Sequence, residues 1–259
     1  LIESSPKDIN IKQIYSRDVN MDVLQKYHNK FWIFTNATGM SLDLIPSIAA
    51  NLDYSIIEYD YKFCKYRSIE KHKHIESKDC DCHEQIHGKV ISAFFLGAKI
   101  VWWMSEAQEK RYIERFPFLE EIESVVLSSV FDDNFFVQVR ELNKIKPPKS
   151  GWLVLKSNSW IKGYEDAVKY CKDNNLEYSE ISGLSHKEVL EKLSTAEGLV
   201  YLPRGGDTCP RLVIEAQMLG CRLILNEHVQ HKDEIWFNTD DFFDTEAYLY
   251  AARERFWSG

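Results

Sequence analysis

The 259-residue sequence predicts an α/β chain of two domains, each organised around a parallel β-sheet. Three observations predict it. Short apolar runs alternate with segments of helical apolar spacing, the order expected of strands joined by crossover helices. A Pro-Pro pair among lysines, in residues 143–151, interrupts any regular element and separates two such series. Residues 201–225 read as strand, glycine turn, helix, glycine stop and strand. The expected domains are therefore 1–145 and 146–259.

Residues 1–30 are polar and weakly periodic. Residues 30–36 form a compact apolar run, a strand, followed by the turn residues Thr38, Gly39 and Met40. Leu42, Ile45, Ile48, Ala49 and Leu52 keep helical spacing, and 55–60 reads as the next strand. Residues 61–87, dense in Lys, His, Cys and Asp and without periodicity, read as a long loop. A helix over 88–97 leads into the apolar strand 99–104, with Trp102 and Trp103 as core. Ser105 then caps a helix running to Arg115, before Pro117, and 124–127 is a short strand. In the second series the predicted strands are 152–155, 176–181, 199–202 and 221–225. The predicted helices are 162–172, 185–193 with Ser185 and Glu188 as a capping box, and 209–219. An aromatic amphipathic helix over 244–257 closes the chain.

Composition narrows the function classes. Hydrophobic residues at 44% support packed cores rather than disorder. A net charge of −8 argues against a nucleic-acid backbone as the main partner. No stretch of eighteen apolar residues offers a transmembrane segment, which leaves membrane contact peripheral, and the first residues lack the apolar core of a signal peptide. The chain does not begin with Met, as a trimmed chain would not. Six cysteines, at 64, 80, 82, 171, 209 and 221, suit a reducing cytoplasm better than a secreted disulfide scaffold.

The chemistry concentrates at 201–225. Gly205 and Gly206 allow close backbone approach, Asp207 or Thr208 is placed to cap the helix, and Pro210 suits its first turn. The N–H groups of residues 208–209 and the positive helix end then face whatever lies above the strands, a field that fits a diphosphate. Glu215 follows Asp207 by eight residues, roughly 12 Å along a helix axis. Hydrolytic carboxylate pairs sit about 5–9.5 Å apart, so this spacing suits two ends of an extended ligand. The bland alternative is an i, i+4 surface pair of Arg211 with Glu215, and an Asp207 that only caps.

This segment resembles the donor-binding signature of GT-B glycosyltransferases of the family-4 retaining type, Glu-x7-Glu followed by Ala and Gly, with Asp207 standing for the first Glu. Lys162-Gly163 after the strand 152–155 matches the family's Lys-Gly, while its usual Arg falls near Ser157; either Lys156 or another basic residue such as Arg204 takes that part, or diphosphate binding is weaker. The loop through Leu184 that opens the helix at Ser185 matches the one that receives the base. Residues 103–105 and 126–132 also follow the pattern, and Gly39 resembles the family's glycine turn. The resemblance implies two Rossmann-like domains with parallel sheets facing a cleft. It implies transfer of a sugar from a nucleotide-diphosphate sugar to a carbohydrate or lipid-linked acceptor hydroxyl, with retention. It implies glycan, glycolipid or polysaccharide synthesis in the cytoplasm with no metal or other cofactor required. Asp207 would hold the donor sugar, Glu215 the ribose, and Lys162 with residues 207–209 the diphosphate; Gly205, Gly206, Thr208, Cys209, Arg204, Ser157, Gly163, Leu184 and Gly39 complete the substrate-binding set. Two other readings stand beside it: a sugar-nucleotide epimerase or hydrolase on the same architecture, and an inactive nucleotide-sugar-binding module.

The 61–87 segment carries Cys64, His72, His74, Cys80, Cys82, His83 and His87. Zinc takes about four N/S ligands, and Cys64, Cys80, Cys82 and His87 are the candidate set. The alternatives are a solvated polar loop with incidental thiols, or, with Lys62, Lys65 and Arg67, a surface contacting donor or acceptor. Asp79 and Asp81 superficially match an Asp-x-Asp metal motif but follow no apolar strand.

Overall fold

The computed structural model describes residues 1–35 and 37–258. The chain divides into two compact units, Leu1–Ser128 with Ala252–Gly259, and Ser129–Ala251. These limits differ from the expected 1–145 and 146–259 at both ends of the second unit.

The first unit holds strands β1 (Phe31–Phe34), β2 (Asp53–Glu58), β3 (Ile100–Trp103) and β4 (Glu123–Val126), parallel and in that order. Asn36, the end of the first predicted strand, lies outside the described residues. Helices α1 (Met21–Lys26), α2 (Ile45–Asn51), α3 (Ile69–Glu76), α4 (Ile86–Leu96) and α5 (Glu106–Ile113) surround the sheet. Strands β2 and β3 are buried almost throughout, as apolar strands covered on both faces must be. Ser105 caps α5 as the sequence requires, accepting from the N–H of Gln108. The segment 61–87 is not one loop. Ser68 caps α3 by accepting from the Lys71 N–H, and Ser77 ends it in the left-handed conformation. This helix escaped the periodicity reading because its buried residue is His72, not a hydrophobe.

The second unit contains α6 (Asp133–Ile145), β5 (Trp152–Leu155), α7 (Tyr164–Asp173), β6 (Tyr178–Ile181), α8 (His186–Thr195), β7 (Gly198–Tyr201), α9 (Arg211–Met218), β8 (Arg222–Leu225) and α10 (Phe242–Tyr250). Its sheet is parallel in the order β6-β5-β7-β8. The expected linker is partly helix: α6 runs to Ile145, capped at Asp132 and burying Phe135, Phe136 and Val139. The end of α6 and the Pro-Pro stretch beyond it are tied to α9, whose last carbonyls accept from Asn143 Nδ2 (Met218 O, 2.9 Å) and Lys149 Nζ (Leu219 O, 2.5 Å). Such donors satisfy carbonyls that a helix C-terminus leaves unpaired. The predicted terminal helix is two, α10 and α11 (Ala252–Ser258), the latter part of the first unit. There Phe256 packs on Trp102 at 4.5 Å between ring centres.

Candidate functional site

The strand order of the second unit fixes where a ligand can sit. From β5 the chain moves out to β6, then crosses back past β5 to β7 and on to β8. The connections leaving β5 and β7 therefore run in opposite directions, and such a switch point opens a crevice at the carboxyl ends of the two strands. The loop after β5 carries Lys162 and the loop after β7 carries Asp207, a base and an acid singled out in the sequence.

Lys162 is delivered by Gly163. That glycine is left-handed (φ +61°), and a Cβ on it would stand 1.8 Å from the Leu202 carbonyl oxygen. Only glycine lets the 160–163 turn lie against the end of β7. The Arg204 N–H donating to the Ile161 carbonyl (2.8 Å) fastens the two loops. Lys162 Nζ then reaches Asp207 Oδ2 at 2.7 Å. The Tyr201 hydroxyl donates to the same oxygen; burial, then the Asp207 charge, hold Tyr201 well above the usual phenol range, so it remains a neutral donor. The Asp207 backbone is pinned by its N–H to the His228 carbonyl (2.9 Å) and by the Gln230 N–H to its own carbonyl (3.1 Å).

Asp207 does not cap α9. The N-cap is Pro210, and the helix begins without a side-chain cap. A proline has no hydroxyl, amide or carboxylate to offer, so the helix start keeps its positive field. Asp207 instead sits in an extended stretch bridging Val229, and a helical rise does not measure its distance to Glu215.

Glu215 is 4% exposed on α9, among Val213, Ile214, Ala216 and Met218. A carboxylate so placed needs partners. His186 Nε2 approaches its Oε1 at 2.9 Å and Arg211 Nε at 3.8 Å. The i, i+4 pair of the bland reading thus exists, but it belongs to a buried carboxylate held more closely by a residue from another helix. Arg211 also stacks over the ring of Phe131 (4.6 Å), and His186 over Phe135 (6.3 Å). No local pattern marks His186 or Tyr201 as partners; both meet the acids through helix packing and strand pairing.

The remaining expected residues separate into near and far. Gly205, Gly206 and Thr208 are buried beside Asp207 in the loop after β7. Cys209 is buried, its thiol pushed up to about 12 by that burial, and its carbonyl accepts from Ser129 Oγ (2.8 Å). Arg204 turns to the first turn of α7, pairing with Asp166 and with Glu165 (3.5 Å). Lys156 pairs with Glu180 (2.7 Å), Ser157 Oγ accepts from the Ser159 N–H, and Leu184 is exposed before α8. The structure thus joins Lys162 and Asp207 directly but leaves neither Arg204 nor Lys156 with them.

In the first unit, a cavity of about 140 Å³ is lined by Thr38, Met40, Ile45, Lys62, Arg67 and Phe94. Gly39 lies next to that lining, close to Arg17. Lys62 is buried and paired with Glu58 (2.6 Å), itself fully buried and also accepting from the Asp60 and Lys62 N–H groups. Arg67 holds Asp60 through Nε (3.0 Å) and Nη2 (2.7 Å).

Three of the four candidate zinc residues come together, and the fourth does not. Cys64, Cys80 and Cys82 converge with His72, all buried, their ligand atoms within 4.8 Å of one another. His87 instead points its Nε2 at the Lys62 carbonyl (2.9 Å). All six cysteines are free. Cys64 is lowered to about 5, first by the Cys80 thiol beside it and then by the Tyr66 and Ser68 backbone.

No protein-family profile matches the chain, and no curated protein matches its sequence. Solved structures do match. Sucrose-phosphate synthase from Thermosynechococcus elongatus aligns at a TM-score of 0.52 and 12% identity, over 92% of this chain and 72% of that one. The UDP-forming α,α-trehalose-phosphate synthase from Burkholderia xenovorans aligns at 0.52 and 6% identity, over 90% of this chain and 66% of that one. HepE from Anabaena, solved with UDP and glucose, aligns at 0.48 and 11% identity, over 90% and 75%. The first two likenesses run through both units and show the fold class: α/β, with two Rossmann-like units of the GT-B type. Among the described residues no helix is long and apolar enough to cross a membrane.

Proposed function

We propose that the chain is a glycosyltransferase that moves a sugar from a nucleotide-diphosphate sugar to an acceptor hydroxyl with retention of configuration, in glycan or polysaccharide synthesis. The observation that carries this is the Lys162–Asp207 pair at the sheet's switch point, beside the uncapped start of α9. The leaving group in such a transfer is a diphosphate, so the protein's main task is to stabilise charge growing on phosphate oxygens. Lys162 gives one of its three donors to Asp207 and has two for the phosphates. With the N–H groups at the start of α9 it supplies positive charge there without calling on a metal ion. Both side-chain partners of Asp207 hold Oδ2, so Oδ1 accepts from a donor-sugar hydroxyl. Both partners of Glu215 hold Oε1, so Oε2 accepts from the ribose hydroxyls. The first unit provides the acceptor side, where the cavity between Thr38, Lys62 and Arg67 offers polar and apolar walls to a carbohydrate or lipid-linked acceptor.

Thermal-shift screening against UDP, GDP, ADP and CMP sugars identifies the donor, because a ligand that binds the folded state raises stability by mass action. Glu215→Ala is expected to weaken binding of that nucleotide by about 1–3 kcal/mol in calorimetric titration. Unchanged affinity would remove Glu215 from the site. Product analysis with donor alone separates transfer from epimerisation or hydrolysis, and turnover with a mixed acceptor pool separates an enzyme from an inactive binding module.

A further inference from the structure

The segment between β2 and α4 contains one short helix, α3, and gathers four side chains able to ligate a metal. Cys64 precedes α3, His72 lies within α3, and Cys80 and Cys82 come after it. Two left-handed residues, Arg67 (φ 56°) and Ser77 (φ 56°), flank the helix and turn the chain back on itself. On the far side, Gly88 of α4 lets the Cys82–His83 backbone dock. A Cβ there would stand 2.1 Å from the Cys82 carbonyl oxygen.

We propose that Cys64, His72, Cys80 and Cys82 form a structural zinc site that fixes this segment to the first unit. The proposal is independent of glycosyl transfer. Four residues meet the coordination that zinc fills in structural sites, with no position left for water or substrate. With Zn–S near 2.3 Å and Zn–N near 2.0 Å, tetrahedral ligand atoms stand about 3.5–3.8 Å apart. His72 Nδ1 is 3.3 Å from Cys82 Sγ and 3.9 Å from Cys64 Sγ, values that bracket this separation. The residues that carry these atoms are all buried, with His72 at 1% exposure.

The other face of the imidazole gives an independent sign. His72 Nε2 is buried without a hydrogen-bond partner, and a carboxylate oxygen, Asp81 Oδ1, stands 3.9 Å away. With Nδ1 on a metal, the ring proton resides on Nε2 and faces that carboxylate, the arrangement by which a carboxylate orients a ligating histidine. On binding, Zn²⁺ displaces the thiol protons into solvent and takes the Nδ1 lone pair; nothing is oxidised or reduced. A disulfide is the rival for such thiols, but it would use two of the three sulfurs and leave Cys–His contacts unexplained. The Cys-x7-His-x7-Cys-x-Cys spacing differs from the usual paired Cys-x2–4-Cys, so the sequence marks the three cysteines, while α3 is what brings His72 rather than His87 to them.

The test is metal analysis of the full chain purified without added metal. The expected result is about one zinc per chain, released when a mercurial titrates the thiols. Replacement by Co²⁺ is expected to give thiolate-to-cobalt charge-transfer absorption and the strong visible bands of tetrahedral cobalt. Asp81→Asn is expected to keep the fold and lower zinc affinity roughly tenfold in chelator competition. Cys82→Ser and His72→Ala are expected to lose the metal, while His87→Ala keeps it. Zinc well below stoichiometric in folded protein that also takes up no added Zn²⁺ or Co²⁺ overturns the proposal. So does a disulfide among the three cysteines, octahedral cobalt spectra, or loss of metal from His87→Ala alone.

Discussion

Single side chains in this molecule are governed by what burial demands of charge. Glu58 has no exposure, and burial raises its pKa while the Lys62 ammonium opposes the shift. Glu58→Gln leaves Lys62 buried without its counter-charge and is expected to cost about 3–5 kcal/mol of unfolding free energy in urea titration. His231 is the reverse case. Both ring nitrogens are buried without hydrogen-bond partners, and burial lowers its pKa from 6.5 to about 3. A folded-state value below the unfolded one means that the unfolded chain binds the proton first as pH falls. The stability tied to neutral His231 is therefore intact above pH 6.5 and drains away toward pH 3, on the order of 5 kcal/mol in all. His231→Phe is expected to flatten the decline between pH 6.5 and about 4 in melts followed by circular dichroism. At this scale the sequence speaks through resemblance and local pattern: the family likeness names Lys162, and the glycine turn and helix name Asp207 and Glu215, although Asp207 lies outside α9 and the helical rise expected between the two acids does not apply. It was opaque where partners come from elsewhere. His186 reaches Glu215 from α8, and His72 rather than His87 completes the cysteine cluster, because contacts of that kind are set by packing and leave no periodic trace.

Elements were legible in proportion to how apolar their buried faces are. β3, with four buried residues, and α8, with its capping box, stand where the sequence places them. The segment 61–87 hid α3 because its inward face is polar, and the Pro-Pro stretch hid the fact that Asn143 and Lys149 on either side close α9. The most constrained element is the turn at Gly163. Gly163→Ala must place a side chain at φ +61° and within 1.8 Å of a carbonyl oxygen. The expected cost is at least about 2 kcal/mol. Because the same turn carries Lys162 to Asp207, nucleotide affinity is expected to fall with stability in that variant. Asn20→Ala at the start of α1, where the Asn20 side chain accepts from the Val23 N–H, serves as the comparison: loss of that cap should cost about 1 kcal/mol in the same denaturation assay, with nucleotide binding retained.

For the whole molecule, the decisive fact is that one unit is continuous in sequence and the other is not. The first unit needs α11 from the far end of the chain, where Phe256 (5% exposed) covers Trp102 (3% exposed). Phe256→Ala is expected to destabilise that unit by about 3–5 kcal/mol, read as an earlier transition in calorimetry while the second unit's transition stays in place. The two synthases align across at least 90% of this chain at no more than 12% identity, so an architecture was recoverable from strand and helix order when few individual residues were shared. The discontinuity has a further consequence for biosynthesis. A ribosome delivers residues 1–128 before 129–251, yet it cannot deliver everything they require until residues 252–258 have followed. The second unit is the one able to finish first, and the strands of the first unit wait with Trp102 uncovered, the interval in which a nascent chain is most exposed to sticking to its neighbours.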